Sequence, residues 1–200
     1  MKIIAAGHGG QGVLELANYF SYYELLKGRH IAYTPSYGPE SRGGKVKCYV
    51  IASDSPIDSP IVEEPDYLIV MNTPSMDYVP LLKKGGTLMM NSSLITREPE
   101  RRDVLVIRIP ATEIAYGLRN LGFDEMPDTE IAANSVMFGA YLSIAGEGLD
   151  MKVAREVFSH FFTGRKAAYI SLNLSAVERG YEFARSLIID AHSERPSQRV

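Results

Sequence analysis

The apolar and polar positions change rhythm along the chain. Ile3 to Ala6 is a short continuous apolar run that ends in glycines, the pattern of a buried strand. From Val13 the apolar residues Leu16, Ala17, Phe20 and Tyr23 fall at helical spacing, so a helix is expected up to about Gly28. Ile31 to Thr34 reads as a second strand closed by Pro35, and strand, glycine turn, helix and strand together predict a βαβ unit in a parallel sheet. Val46 to Ala52 alternates and is rich in β-formers, whereas Tyr67 to Met71 is continuously apolar, as in a strand covered on both faces. A short helix over Thr73 to Leu82 is bounded or interrupted by Pro80. Thr87 to Met90 and Val104 to Ile109 supply two more strands.

Beyond Pro110 the period becomes helical throughout. Ala111 to Leu121 and Glu130 to Ala145 are candidate helices, and Asp150 is placed as the N-cap of a third that ends near Phe162. In the last helix Ile170, Leu174, Val177, Tyr181, Ala184 and Ile188 form one apolar stripe, to be packed on the sheet or on a partner chain. The expected fold is one Rossmann-like, three-layer α/β domain over residues 1–190. It has a mostly parallel sheet, a helical C-terminal third and a loose polar tail over 191–200.

Composition narrows the function classes. A chain of 200 residues with 46% hydrophobic and 22% charged residues can bury a full core. A net charge of −3 argues against a protein whose task is to neutralise a nucleic-acid backbone. The single cysteine, Cys48, cannot form an internal disulfide or hold an iron–sulfur cluster by itself, and its apolar strand setting marks it as core. No apolar run approaches a membrane span, and the first residues lack the pattern of a signal peptide, so a reducing cytoplasm is the expected compartment.

Two glycine-rich segments carry the candidate chemistry. Gly7-His8-Gly9-Gly10-Gln11-Gly12 satisfies G-x-G-x-x-G between a strand and a helix, where backbone N–H groups can meet a phosphate. The same residues also suit a tight turn without a ligand. A dinucleotide site further wants an acidic residue at the end of the second strand, and Ile31-Ala32-Tyr33-Thr34-Pro35 has none. That argues against a free-standing nucleotide-binding dehydrogenase. The second segment, Ser36-Tyr37-Gly38-Pro39-Glu40-Ser41-Arg42-Gly43-Gly44, combines an irregular backbone with donors. Arg42 is its natural phosphate fork, or else the ion-pair partner of Glu40 or Asp54. Asn134 either caps the first turn of its helix or points into a ligand crevice. His8 reads as a solvated loop side chain. Arg101-Arg102 and Arg165-Lys166 read as solvated corners. The Tyr19, Phe20, Tyr22, Tyr23 cluster is too dense for one buried face, so part of it is expected on an interface.

The order of these segments resembles the gamma subunit of 2-oxoacid:ferredoxin (acceptor) oxidoreductases. Gly7 to Val13 is similar to that family's G-x-G-G-Q-G-[VI] start, and Ser36 to Gly44 to its S-Y-G-P-E-x-R-G-G segment. Ser53-Asp54 with Ile57 and Ser59-Pro60, then Pro65-Asp66, and Asn134 followed by Met137-Phe138-Gly139-Ala140, resemble its later signatures. The resemblance implies a subunit, without catalytic residues of its own, of a complex that oxidatively decarboxylates a 2-oxoacid to an acyl-CoA. Pyruvate and 2-oxoglutarate are the leading substrates. The implied partners are alpha and beta, and in some cases delta, subunits carrying thiamine diphosphate, Mg²⁺ and iron–sulfur clusters, with ferredoxin as electron acceptor. No nucleic acid or membrane is implied. The resemblance also implies a part in binding coenzyme A. The residues assigned to it are Gly7, Gly9, Gly10, Gln11, Gly12, Ser36, Arg42, Gly43, Gly44 and Asn134. The equivalent chain of indolepyruvate:ferredoxin oxidoreductase is the nearest alternative.

Overall fold

The computed structural model describes residues 1–38, 44–121 and 132–193. Pro39, Glu40, Ser41, Arg42 and Gly43, the expected helix start at Glu130, and the tail from 194 lie outside them. Six strands form one sheet in the order β2-β3-β1-β4-β5-β6: β1 Lys2–His8, β2 His30–Tyr37, β3 Lys45–Ser53, β4 Tyr67–Val70, β5 Thr87–Asn91 and β6 Leu105–Ile109. β1, β4, β5 and β6 are mutually parallel. The helices are α1 Val13–Leu26, α2 Ala111–Gly117, α3 Ala133–Ile144, α4 Met151–Phe161 and α5 Ile170–Ser193.

The expected βαβ unit is present in direction but split in space. β3 pairs antiparallel with both β1 and β2, so it lies between the two strands that α1 connects. Strand pairing is a non-local property, and the periodicity of each segment carries no record of its neighbour. β2 also runs straight through Pro35 instead of stopping there. It is an edge strand, and an edge position tolerates a residue that cannot donate to the ladder.

Alternation divides the sheet's side chains between two unequal layers. Ile3, Ala5, Cys48, Val50, Ile69, Met71 and Met89 face a large core shared with all five helices. Ile4, Ala6, Leu68, Val70, Leu88 and Met90 face a thinner layer. That layer is closed by the 3₁₀ helix Thr73–Leu81 and by Val62 and Ile95 from loops. Asn72 caps the 3₁₀ helix through Ser75 N–H, and Pro80 inside it keeps it from continuing as an α-helix. Asp150 caps α4 as the sequence implies, accepting from the Lys152 and Val153 N–H groups.

α1 lies between the sheet, α3 and α4, which corrects the expectation for its aromatic cluster. Tyr19, Phe20 and Tyr23 are buried, and only Tyr22 is half-buried, stacked on His160. A helix covered from three directions buries more than one face, so the density of aromatics there is a packing requirement. Among the described residues the most exposed aromatic side chains are Tyr37 and Tyr116.

α5 packs chiefly on α3. The crossing is close because Gly139 of α3 meets the Val177 carbonyl, and Gly180 of α5 meets the Val136 carbonyl. A Cβ at either position would land on the opposing backbone, so glycine is required there for space. α5 runs to Ser193, three residues into the stretch expected to be loose.

Candidate functional site

β1 delivers the first glycine loop to the carboxyl end of the sheet. α1 leaves this strand toward the large core, whereas the 3₁₀ helix after β4 leaves toward the thin layer. The gap between β1 and β4 is therefore a topological switch point, the place where open α/β sheets form a crevice. Gly10 (φ 98°) and Gly12 (φ 67°) adopt left-handed conformations that β-carbon sterics disfavour. Gly7 is held for a different reason. A Cβ on it would come within 2.7 Å of Val13 Cγ2 and 2.8 Å of Gln11 Oε1.

The Gln11 carboxamide bridges the two strand ends. Its Oε1 accepts from the His8 N–H (3.0 Å) and from Asn72 Nδ2 (2.9 Å), while Nε2 donates to the Met71 carbonyl (3.1 Å). Asn134 holds the other side of the loop. Its Nδ2 donates to the Gly12 carbonyl (3.2 Å), and its Oδ1 accepts from the Ser135 N–H (2.8 Å). Asn134 thus satisfies one donor in the first turn of α3 and also reaches the loop backbone. Its carboxamide occupies the space where a Gly12 Cβ would stand. The loop's outer rim is open: nothing approaches within 4 Å of the Cβ position of Gly10.

The second glycine segment meets the first. The Gly9 N–H donates to the Gly44 carbonyl (3.1 Å), and the Gly38 N–H donates to the Lys45 carbonyl (2.7 Å) across the β2–β3 hairpin. Gly44 is therefore brought to the loop, and Ser36 and Tyr37 lie on the last residues of β2 at the same end of the sheet. Beside them Lys45 pairs with Asp77 (3.2 Å), and Lys47 lies over the rings of Tyr49 (5.2 Å) and Tyr78 (4.8 Å). Sequence reasoning missed these two lysines and Asn72. Their signal is register, since Lys45 and Lys47 stand opposite His8 and Ala6.

Other candidates resolve as structure. Cys48 is buried, and burial pushes its thiol up to about 11, so it is core as its strand setting implies. His8 is exposed, with Nδ1 3.0 Å from the Gly9 carbonyl. Arg101 is less free than a solvated corner: it pairs with Asp103 and donates to the Leu82 carbonyl at 2.8 Å. Asp54 pairs with Arg29 at 3.3 Å. At the opposite end of the sheet, Glu24 on α1 is fully buried, with Arg29 at 3.2 Å and Lys27 at 3.8 Å. Burial raises its carboxyl above the usual range, against the pull of those two cations. Among the described residues no three His, Cys, Asp or Glu side chains are grouped to hold a metal ion, and no helix is long and apolar enough to cross a membrane.

Comparison with known proteins now adds to this geometry. Residues 2–183 match the family model described as pyruvate ferredoxin/flavodoxin oxidoreductase. The chain is 36% identical to the ketoisovalerate oxidoreductase subunit VorA of Methanothermobacter thermautotrophicus. That match covers 94% of this chain but only 37% of the relative's length. It is 32% identical to the 2-oxoglutarate synthase subunit KorC of Methanocaldococcus jannaschii, over 93% of this chain and 95% of that one. Among solved structures it is similar to the gamma subunit of a keto/oxoacid ferredoxin oxidoreductase from Geobacter sulfurreducens. There the TM-score is 0.73 at 28% identity, covering 92% of this chain and 98% of that one. The 2-oxoglutarate:ferredoxin oxidoreductase of Magnetococcus marinus shares the fold, with a TM-score of 0.78 at 19% identity, over 93% of this chain and 31% of that one. Glycine motif, topological switch point, six-stranded sheet and these matches converge on one assignment: the chain belongs to the pyruvate ferredoxin/flavodoxin oxidoreductase family.

Proposed function

We propose that this chain is the gamma-type part of a multi-subunit 2-oxoacid:ferredoxin oxidoreductase, which converts a 2-oxoacid to an acyl-CoA, and that its two glycine segments form a wall of the coenzyme A site. The observation that carries the proposal is the Gly9–Gly44 hydrogen bond, which joins both segments beside the topological switch point. Coenzyme A offers phosphates and a long polar arm. A left-handed turn at a helix start, open at the Gly10 Cβ position, suits the former. In this reading the main chain around Gly9, Gly10 and Gly12 meets the ligand, with Ser36 and Gly44 at the same end of the sheet, and Arg42 and Gly43 are assigned to the ligand from the sequence alone. Gln11 and Asn134 hold that main chain in place. The Magnetococcus marinus enzyme was solved with 2-oxoglutarate, coenzyme A and succinyl-CoA bound, which supports the ligand class.

Thiamine diphosphate, Mg²⁺ and the iron–sulfur clusters fit poorly here. The one cysteine is buried with a raised pKa, and the described acidic and histidine side chains are scattered. They are assigned to alpha and beta, or delta, partner subunits in the cytoplasm, with ferredoxin receiving the electrons. The relatives are named for ketoisovalerate, 2-oxoglutarate and pyruvate, and the choice among these belongs to the thiamine site. Anoxic purification of the chain from its native source, with mass spectrometry of whatever accompanies it, tests the assignment. Recovery with a thiamine diphosphate-binding chain and a cluster-bearing chain is expected. Recovery as a monomer or homodimer that binds NAD(H) would overturn it.

A further inference from the structure

A chain of polar side chains runs through the apolar packing between α1, α3 and α5, and nothing in the family match explains it. It starts at the carbonyl of Tyr169, just before α5. Asn173 Nδ2 donates to that carbonyl (2.8 Å), and Asn173 Oδ1 accepts from Ser135 Oγ (2.6 Å). Ser135 Oγ also lies 3.4 Å from Asn134 Oδ1, but a hydroxyl has one proton, and the shorter contact to Asn173 takes it. The Ser135 N–H instead donates to Asn134 Oδ1, and Asn134 Nδ2 closes the run on the Gly12 carbonyl. The buried Tyr19 side chain of α1 lies next to the Ser135 and Asn134 side chains. Asn134, Ser135 and Asn173 are themselves buried, on helices whose other buried residues belong to the large apolar core.

Burying such groups is expensive unless each finds a partner, and apolar side chains of similar size would pack the same space without that cost. The run therefore contributes little net stability. What it does is fix one atom, the Gly12 carbonyl, which is also the acceptor for the Leu16 N–H in the first turn of α1 (2.9 Å). We infer that Asn173 is a positioning residue for the glycine loop: acting through Ser135 and Asn134, it sets the orientation of the Gly12 peptide and of the N–H groups that open α1. The inference rests on the loop being the coenzyme A wall only for its catalytic consequence, because the loop's geometry can be measured directly.

The test uses the assembled complex carrying Asn173→Leu or Ser135→Ala, the second variant removing a single hydroxyl should the first fail to fold. Hydrogen exchange read by mass spectrometry is followed over residues 8–16 and over α4, alongside coenzyme A titrations. Exchange over 8–16 should rise by about tenfold, the effect of one lost buried hydrogen bond, while α4 exchanges as in the parent. The coenzyme A KM should rise with the coenzyme A-independent partial reaction unchanged. Faster loop exchange with an unaltered KM would uphold the positioning role and remove the coenzyme A reading. Unaltered loop exchange, or equal acceleration in α4, would overturn the inference.

Discussion

Glycine serves two regions of this molecule for opposite reasons. In the loop after β1, Gly10 and Gly12 supply positive φ, and at Gly10 the surrounding space is empty. In the α3–α5 crossing, Gly139 and Gly180 sit in ordinary helix, and a Cβ would strike backbone of the other helix. One region needs a conformation and the other needs room. The difference predicts which substitutions damage the fold and which damage only the site.

The largest effect is expected at the crossing. Gly139→Ala must push α3 and α5 apart, because the obstacle is the Val177 carbonyl and backbone cannot rotate aside. Overpacking of this kind costs about 3 kcal/mol or prevents folding, as read by denaturant titration. Cys48 reports on it: its buried thiol, pushed up to about 11, should resist alkylation at neutral pH in the parent and react in this variant. An alkylation-resistant Gly139→Ala chain of parental stability would remove the distinction between the two regions.

Gly12→Ala comes next, combining both penalties, since φ is positive and the Asn134 carboxamide fills the Cβ space. The conformational part is about 1–2 kcal/mol. Adding Asn134→Gly should recover the steric part and leave the conformational part, a coupling that a double-mutant cycle measures. Non-interacting substitutions would show that the two residues do not compete for that space.

A perturbation at the other end of α1 separates the loop from global stability. The Glu24 carboxyl is raised by burial, so the unfolded chain releases its proton at lower pH than the folded one. Stability should therefore fall as pH rises from the usual carboxylate range to the raised folded value. Glu24→Gln should flatten that part of the stability profile without altering coenzyme A dependence. The smallest effect is expected for Gly10→Ala, about 1 kcal/mol from the backbone alone with no clash and with Cys48 still protected.

The same contrast explains what could be read from the chain alone. The strand, glycine loop and helix over residues 2–26 are local patterns, and the structure reproduces them within a residue or two. Asp150 and the stripe of α5 are equally local. The insertion of β3 between β1 and β2 is not, because pairing depends on which segments meet. Nor is the burial of Tyr19, Phe20 and Tyr23 together, which requires α3 and α4 to close over α1. In the loop after β1, the turn that needs positive φ at Gly10 and Gly12 was legible from spacing, whereas the hydrogen bonds of Asn72, Ser135 and Asn173 were not. An isolated Asn or Ser on a helix looks solvated until a second helix is laid against it. Gly139 was visible as part of a motif, but the reason for it, the Val177 carbonyl, lies 38 residues further along the chain.

The central claim is that the joined glycine segments serve coenzyme A. Its most direct measurement is a coenzyme A titration of the complex carrying Arg42→Ala, the residue of the second glycine segment with the strongest phosphate chemistry. The account predicts a raised KM for coenzyme A with the coenzyme A-independent partial reaction preserved. An unchanged KM would contradict it.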